Sequence, residues 1–112
     1  MKRIDAVIRK QSFDKVRDRL SAIGVEGLTV AEVIGFGRSK GIVEHYRGCE
    51  YRTEFQHNLM LTILARDEEV DTVLDAIQQG AHTGHIGDGR IFVSAVEEVV
   101  RIRTGEIGVT AS

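Results

Sequence analysis

Apolar and polar positions change period several times along the chain, and each change marks an element. Lys2–Arg9 is apolar at Ile4, Ala6, Val7 and Ile8 and predicts a strand. Phe13, Val16, Leu20 and Ile23 then recur at helical spacing, with Arg17, Asp18 and Arg19 turned outward, which predicts a helix over Asp14–Ile23. Ser12 is placed to cap that helix and Gly24 to end it. Leu28–Phe36 is rich in β-branched residues and predicts a second strand. The unit is strand–helix–strand.

The unit is written twice. At a shift of 57 residues, Ile4-Asp5-Ala6-Val7 falls on Leu61-Thr62-Ile63-Leu64, and Phe13, Val16 and Leu20 fall on Val70, Val73 and Ile77. The second helix ends near Gly80, and a last strand follows over Arg90–Val96. There the match moves to a shift of 63, with Leu28–Val33 on Ile91–Val96, so six extra residues sit in the AHTGHIGDG stretch. A β-α-β-β-α-β order predicts the α+β class and a ferredoxin-like sandwich: four antiparallel strands with two helices on one face. Ala6-Val7-Ile8, Leu59–Leu64 and Ile91-Phe92-Val93 are apolar on both parities, whereas a half-solvated sheet alternates. Two helices cover one face only, so the second face is expected to meet other subunits of a homo-oligomer.

Composition narrows the class. A chain of 112 residues is read as one domain spanning 1–112. A net charge of −2 with both signs interspersed carries no electrostatic footprint for nucleic acid. Aromatics are 5%, too few for the stacking platform of an RNA-binding sheet. No apolar run reaches the roughly 18 residues of a membrane span, and MKRIDAVIRK lacks the apolar stretch of a signal peptide, so a cytoplasmic location is expected. One cysteine, Cys49, excludes an internal disulfide.

The segment GFGRSKGIVEHYRGCEYRTEF, Gly35–Phe55, has little to bury and joins the second and third strands. It is expected to stand off one end of the sheet as a hairpin extension built for a partner. Its first residues, Gly35, Gly37, Arg38, Lys40 and Gly41, combine glycine turns with cations but lack the spacing of a dinucleotide fingerprint. A second such element is Thr83–Arg90. A third is RIRTGE, where strand alternation would put Arg101 and Arg103 on one face, an arrangement that favours an anion between them. Three elements of this kind make a triphosphate-sized site. No Walker lysine–serine pair, no carboxylate placed to activate water and no Ser/His/Asp set accompanies them, so a binding protein is expected and a weak ATPase is the lesser reading. His82-x-x-His85 lacks a third ligand nearby, and no metal site is expected.

These motifs resemble those of the PII signal-transduction proteins, trimeric nitrogen and carbon regulators of bacteria, archaea and chloroplasts. GFGRSKG resembles the family's GFGRQKG, YRGCEY its Tyr-Lys/Arg-Gly-Ala/Ser-Ala/Glu-Tyr signature, and TGHIGDGRIFV its TGKIGDGKIFV; RIRTGE matches as it stands. The resemblance implies a homotrimer with ATP or ADP in clefts between subunits, Mg accompanying ATP. It implies a T-loop at 37–55, a phosphate-binding B-loop at 82–90, and a C-terminal clamp at 101–108 contributed by a neighbouring subunit. Nucleotide contacts carried over are Thr29, Gly35, Gly37, Arg38, Gly87, Asp88, Gly89, Arg90, Arg101 and Arg103. Gly37, Ser39, Lys40, Gly41 and Asn58 surround the place of a second effector, and Tyr51 stands where many relatives are uridylylated. The T-loop would dock on a transporter, an enzyme or a transcription factor. Ser39 and Asn58 stand where typical members have a metal-holding glutamine and a carboxylate-pairing lysine, which predicts weak 2-oxoglutarate binding. They leave open a carbon-metabolism PII-like paralogue that senses adenylates with bicarbonate.

Overall fold

The computed structural model describes residues 1–38, 53–108 and 111. The chain runs β1 (Lys2–Arg9), a 3-10 turn at Lys10–Ser12, α1 (Phe13–Ala22), β2 (Thr29–Arg38), β3 (Thr53–Ala65), a 3-10 turn at Asp67–Glu69, α2 (Val70–Ala81) and β4 (Gly89–Ala95). The strands form one sheet in the order β2-β3-β1-β4 with every neighbouring pair antiparallel. This is the expected double βαβ sandwich; β1, α1, β2 and β4 lie within one or two residues of their expected bounds, and β3 begins inside the expected 37–55 loop.

Register confirms the duplication. Asp5 pairs with Thr62 at the centre of the sheet, the β3 residue at a shift of 57 from β1. On the same rung Thr29 of β2 pairs with Thr62, and Phe92 of β4 pairs with Asp5. Thr29 and Phe92 are therefore equivalent, at the shift of 63 that the sequence pattern required. The six extra residues extend the end of α2, add to the loop before β4 and start β4 at Gly89, ahead of the Phe92 that corresponds to the first residue of β2.

One stripe of each helix and one parity of the two central strands, β1 and β3, make the core. Ile4, Ala6 and Ile8 of β1, Leu61 and Ile63 of β3, Val16 and Leu20 of α1, and Val73 and Ile77 of α2 are all buried. The helices touch closely at Gly80, where an added Cβ would lie 2.8 Å from the Cα of Val16. At the end of α1, Gly24 takes φ +92°, its N–H donates to Ser21 C=O at 3.0 Å and that of Val25 to Leu20 C=O at 3.0 Å. That closing pattern is the one a left-handed glycine permits. Ser12 behaves otherwise than expected. It ends the 3-10 turn, is buried, and makes no side-chain capping bond to α1. The 3-10 turn itself leads the backbone into the helix.

Among the described residues nothing covers the second sheet face. Met60 and Val7 are half-buried there, and Leu64 and Phe92 are 43% and 52% exposed. Near its middle the Thr62 hydroxyl donates to Asp5 at 2.6 Å, and Arg3 pairs with Asp5 at 3.0 Å. Beyond the helices the β2–β3 pair continues as a two-stranded extension, with Gly35, Phe36, Gly37 and Arg38 opposite Gln56, Phe55, Glu54 and Thr53. The Phe36 and Phe55 rings meet there at 5.4 Å between centroids, tilted by 57°. The ends of the expected 37–55 loop are thus paired strand; Ser39, Lys40, Gly41, Cys49 and Tyr51 lie outside the described residues.

Candidate anion site at the β4 edge

Four strand ends share one end of the sheet. Glu32, Leu59, Ile8 and Gly89 lie on one rung, so the loop before β4 and the base of the β2–β3 extension are held at the same height. The loop is organised by its own carboxylate. Asp88 accepts from the Thr83 hydroxyl, from the Thr83 N–H at 2.8 Å and from the Gly84 N–H at 2.9 Å. The Thr83 hydroxyl in turn accepts from the His85 N–H at 3.2 Å. These bonds, the Thr83 hydroxyl first, then the Thr83 and Gly84 N–H groups and Arg9, hold the Asp88 carboxyl down at about 2.

Arg9, at the end of β1, closes the loop from outside. Its Nε donates to Gly87 C=O at 2.9 Å and its Nη2 to Ile86 C=O at 2.6 Å, and the guanidinium lies 3.7 Å from Asp88. Gly87 and Gly89 take φ +101° and +113°. At Gly89 a Cβ would fall 1.9 Å from the Val7 carbonyl oxygen, so only glycine lets β4 start beside β1 here. Arg90 follows, exposed, opposite Val7. Between this loop and the end of α2 lies a groove with an apolar floor of Ile8, Ile77 and Ile91 and a rim of His82, Asp88 and Arg90. Successive backbone N–H groups in such a glycine turn can form a concavity suited to an anion, and Arg90 adds a positive charge beside it.

The structure distributes the remaining sequence-derived residues. Gly35, Gly37 and Arg38 lie on β2, at the same end of the sheet as Gly87–Arg90 but at the opposite edge. Three strand spacings of about 4.8 Å put the two edges about 14 Å apart, and Gly35–Arg38 also lie further along β2 than the rung that Gly89 shares with Glu32. Thr29 lies at the other end of β2, on the uncovered face. Asn58 faces Arg9 across the sheet and is half-buried. Arg101 and Arg103 do not follow strand alternation. The chain leaves β4 at the Lys2 end of the sheet and forms a turn closed by the Gly105 N–H to Arg101 C=O at 2.7 Å and by a Val100–Ile107 bridge. An i to i+4 bond curls the chain, so the two guanidiniums have no common strand face. Among the described residues no group of three or more His, Cys, Asp and Glu side chains is placed to hold a metal.

Sequence reasoning gave Arg9 no part in the site and named Thr83 only as the first residue of the loop, without a role. Thr83 carried a local signal, since a hydroxyl five residues before an Asp in a glycine-rich turn can close it by side-chain bonds. Arg9 carried none, because its partners lie 77 and 78 residues away.

Comparison with known proteins agrees with this architecture. Residues 1–106 match the family model described as nitrogen regulatory protein P-II. The chain is 51% identical over 108 residues to the nitrogen regulatory protein P-II of Azospirillum brasilense, covering 96% of each. It is 53% identical over 106 residues to that of Microchaete diplosiphon, covering 95% of each. The crystal structure of Arabidopsis thaliana PII bound to citrate superposes with a TM-score of 0.79 at 34% identity, covering 98% of this chain and 87% of that one. A match over nearly the whole length, at about half identity and with the same fold, means that the chain belongs to the nitrogen regulatory protein P-II family.

Proposed function

We propose that this chain acts as a homotrimeric regulator that binds ATP or ADP between subunits and reports the bound state to a target protein through the 37–55 segment. The observation that carries the reading is the split of the anion-binding residues between opposite edges of one sheet. Gly87, Gly89 and Arg90 sit on the β4 edge, Gly35–Arg38 on the β2 edge, and Arg101 and Arg103 on a segment leaving the far end. A cleft between copies of the chain can join groups that one copy holds apart. The uncovered, partly apolar sheet face supplies the surface on which copies would meet.

In this reading the phosphates rest on the Gly87–Gly89 turn with Arg90 beside it, and the arginines of a neighbouring C-terminal turn close over them. Asp88 shapes the turn. Mg accompanies ATP as the counter-ion of its phosphates. Relatives about half identical in sequence are named nitrogen regulatory proteins, which favours regulation by binding over catalysis and over the carbon-metabolism paralogue. Among the described residues no helix is long and apolar enough to cross a membrane, and we place the protein in the cytoplasm, acting on a transporter, enzyme or transcription factor and not on nucleic acid.

Native mass measurement with ATP and with ADP tests the reading. A trimer carrying up to one nucleotide per chain is expected; a monomer, or a trimer that binds neither, would reject it. Calorimetry on Arg103→Ala adds the residue-level test. Losing one charged phosphate contact costs about 1.5–3 kcal/mol, roughly ten- to a hundredfold in affinity, with the trimer intact. Unchanged affinity would remove Arg103 from the site.

A further inference from the structure

We propose that Arg9 is the positioning residue of the phosphate loop, setting the direction of its backbone N–H groups before any ligand arrives. The proposal rests on the anion-site reading above and adds a residue that reading does not use. One guanidinium binds two consecutive carbonyls, Gly87 C=O through Nε at 2.9 Å and Ile86 C=O through Nη2 at 2.6 Å. Among the described residues no peptide bond is cis. In a trans peptide the N–H points opposite to the C=O of the same plane. The N–H groups of Gly87 and Asp88 share planes with those two carbonyls, so they point away from Arg9. A turn whose successive N–H groups face one side is the geometry that binds phosphate oxygens.

Two further contacts fix the arrangement. Asp88 lies 3.7 Å from the same guanidinium while its oxygens accept from Thr83 and Gly84. The clasp therefore joins the end of β1, the C-terminal side of the loop and the residues that follow α2. Gly87 is fitted to it as well: a Cβ there would lie 3.0 Å from Arg9 Nη2 and 3.6 Å from Cζ, in addition to its φ of +101°. A side chain at 87 would push the guanidinium off the carbonyls it holds. The planar fork matters, because an ammonium is a single point that cannot hold two carbonyls in fixed directions. Arg9 also lies opposite Asn58, which faces Val33 on β2, so the clasp is anchored on the strands that run on into the β2–β3 extension.

The test uses Arg9→Ala and Arg9→Lys in the full chain. Amide hydrogen exchange without nucleotide reads the loop, ATP calorimetry reads the site, and thermal unfolding at fixed protein concentration reads the fold. Arg9→Ala is expected to speed exchange at Thr83 and Gly84 about tenfold or more, to weaken ATP about tenfold, and to leave the α2 and central β1 amides protected. Arg9→Lys should fall between Arg9→Ala and wild type in both readouts. The effects of Gly87→Ala and Arg9→Ala on ATP affinity should be less than additive, because each disturbs the same contact. A residue that only touched the ligand would not alter exchange in the free protein. Wild-type exchange at Thr83 and Gly84 in Arg9→Ala overturns the proposal, as does faster exchange with unchanged ATP affinity. Full recovery by Arg9→Lys overturns the role of the fork. If the wild-type protein bound no nucleotide, the functional reading would fall by itself, and the exchange result would still decide whether Arg9 sets the loop.

Discussion

Replacing Gly89 by alanine should damage the site and the sheet together, and its neighbour Gly84 provides the control. Gly84 and Gly89 both have positive φ, +87° and +113°. An L-residue held there costs about 1–2 kcal/mol. At Gly84 a Cβ meets only His82 Nε2 at 4.0 Å, so Gly84→Ala should cost about that backbone penalty and no more. At Gly89 the Cβ would lie 1.9 Å from Val7 O and 3.0 Å from Val7 C, both backbone atoms. Ordinary carbon–oxygen contacts begin near about 3.3 Å, so β4 must retreat from β1 by more than an ångström. N–H···O bonds hold only to about 3.2 Å, and each one lost costs about 0.5–1.5 kcal/mol. Backbone penalty and lost pairing together come to about 2–4 kcal/mol, against a total of about 5–15 kcal/mol for a domain. Urea unfolding at fixed protein concentration measures this. With a slope of about 1.5 kcal/mol per molar, a 3 kcal/mol loss moves the midpoint by about 2 M. ATP affinity should fall in the same variant because the loop moves with the strand end. If Gly89→Ala were no more destabilising than Gly84→Ala, the close approach of β4 to Val7 would be wrong.

Gly80→Ala should destabilise by up to about 2 kcal/mol in the same urea assay. Overpacking costs about 1–3 kcal/mol, offset by about 1 kcal/mol of helix propensity, and a gain in stability would show that α1 and α2 do not meet at Val16. Asp88 gives a pH signature: its folded pKa is depressed to about 2 from 3.8, so its contribution is present above 3.8 and is lost as pH falls through about 2. The Thr83 and Gly84 amide resonances should titrate in that window, and their titration near 3.8 would contradict the loop hydrogen bonds. Binding of 2-oxoglutarate in the presence of Mg-ATP should be weak, since Ser39 lacks the amide and Asn58 the charge of the typical residues. Calorimetry giving micromolar affinity at physiological salt would sink this.

Much of the fold was legible in the chain because burial is periodic. Ile4, Ala6 and Ile8, then Val16 and Leu20, announce their elements through spacing alone, and the duplicated unit announces the topology. Even the shift from 57 to 63 residues proved to be a statement about register, because Thr29 and Phe92 occupy equivalent places on the Asp5–Thr62 rung. The glycine loop and its cation were also visible, since few residue types can occupy such a turn.

What the sequence could not decide depends on long-range placement. Strand order puts Gly35–Arg38 and Gly87–Arg90 on opposite edges, a fact no local pattern encodes. The expected common face of Arg101 and Arg103 failed because a turn bond from Gly105 curls a segment that alternation had treated as straight. Ser12 has the right residue type for a cap, yet the 3-10 turn before α1 directs its side chain to no capping bond. Apolar positions on both parities were read as two buried faces, and the described residues cover only one; hydrophobicity marks a surface that must be covered without saying by what. Arg9 is the clearest case. In the sequence it is one more basic residue at the end of a strand, and only the antiparallel pairing of β1 with β4 carries its guanidinium to carbonyls 77 and 78 residues away.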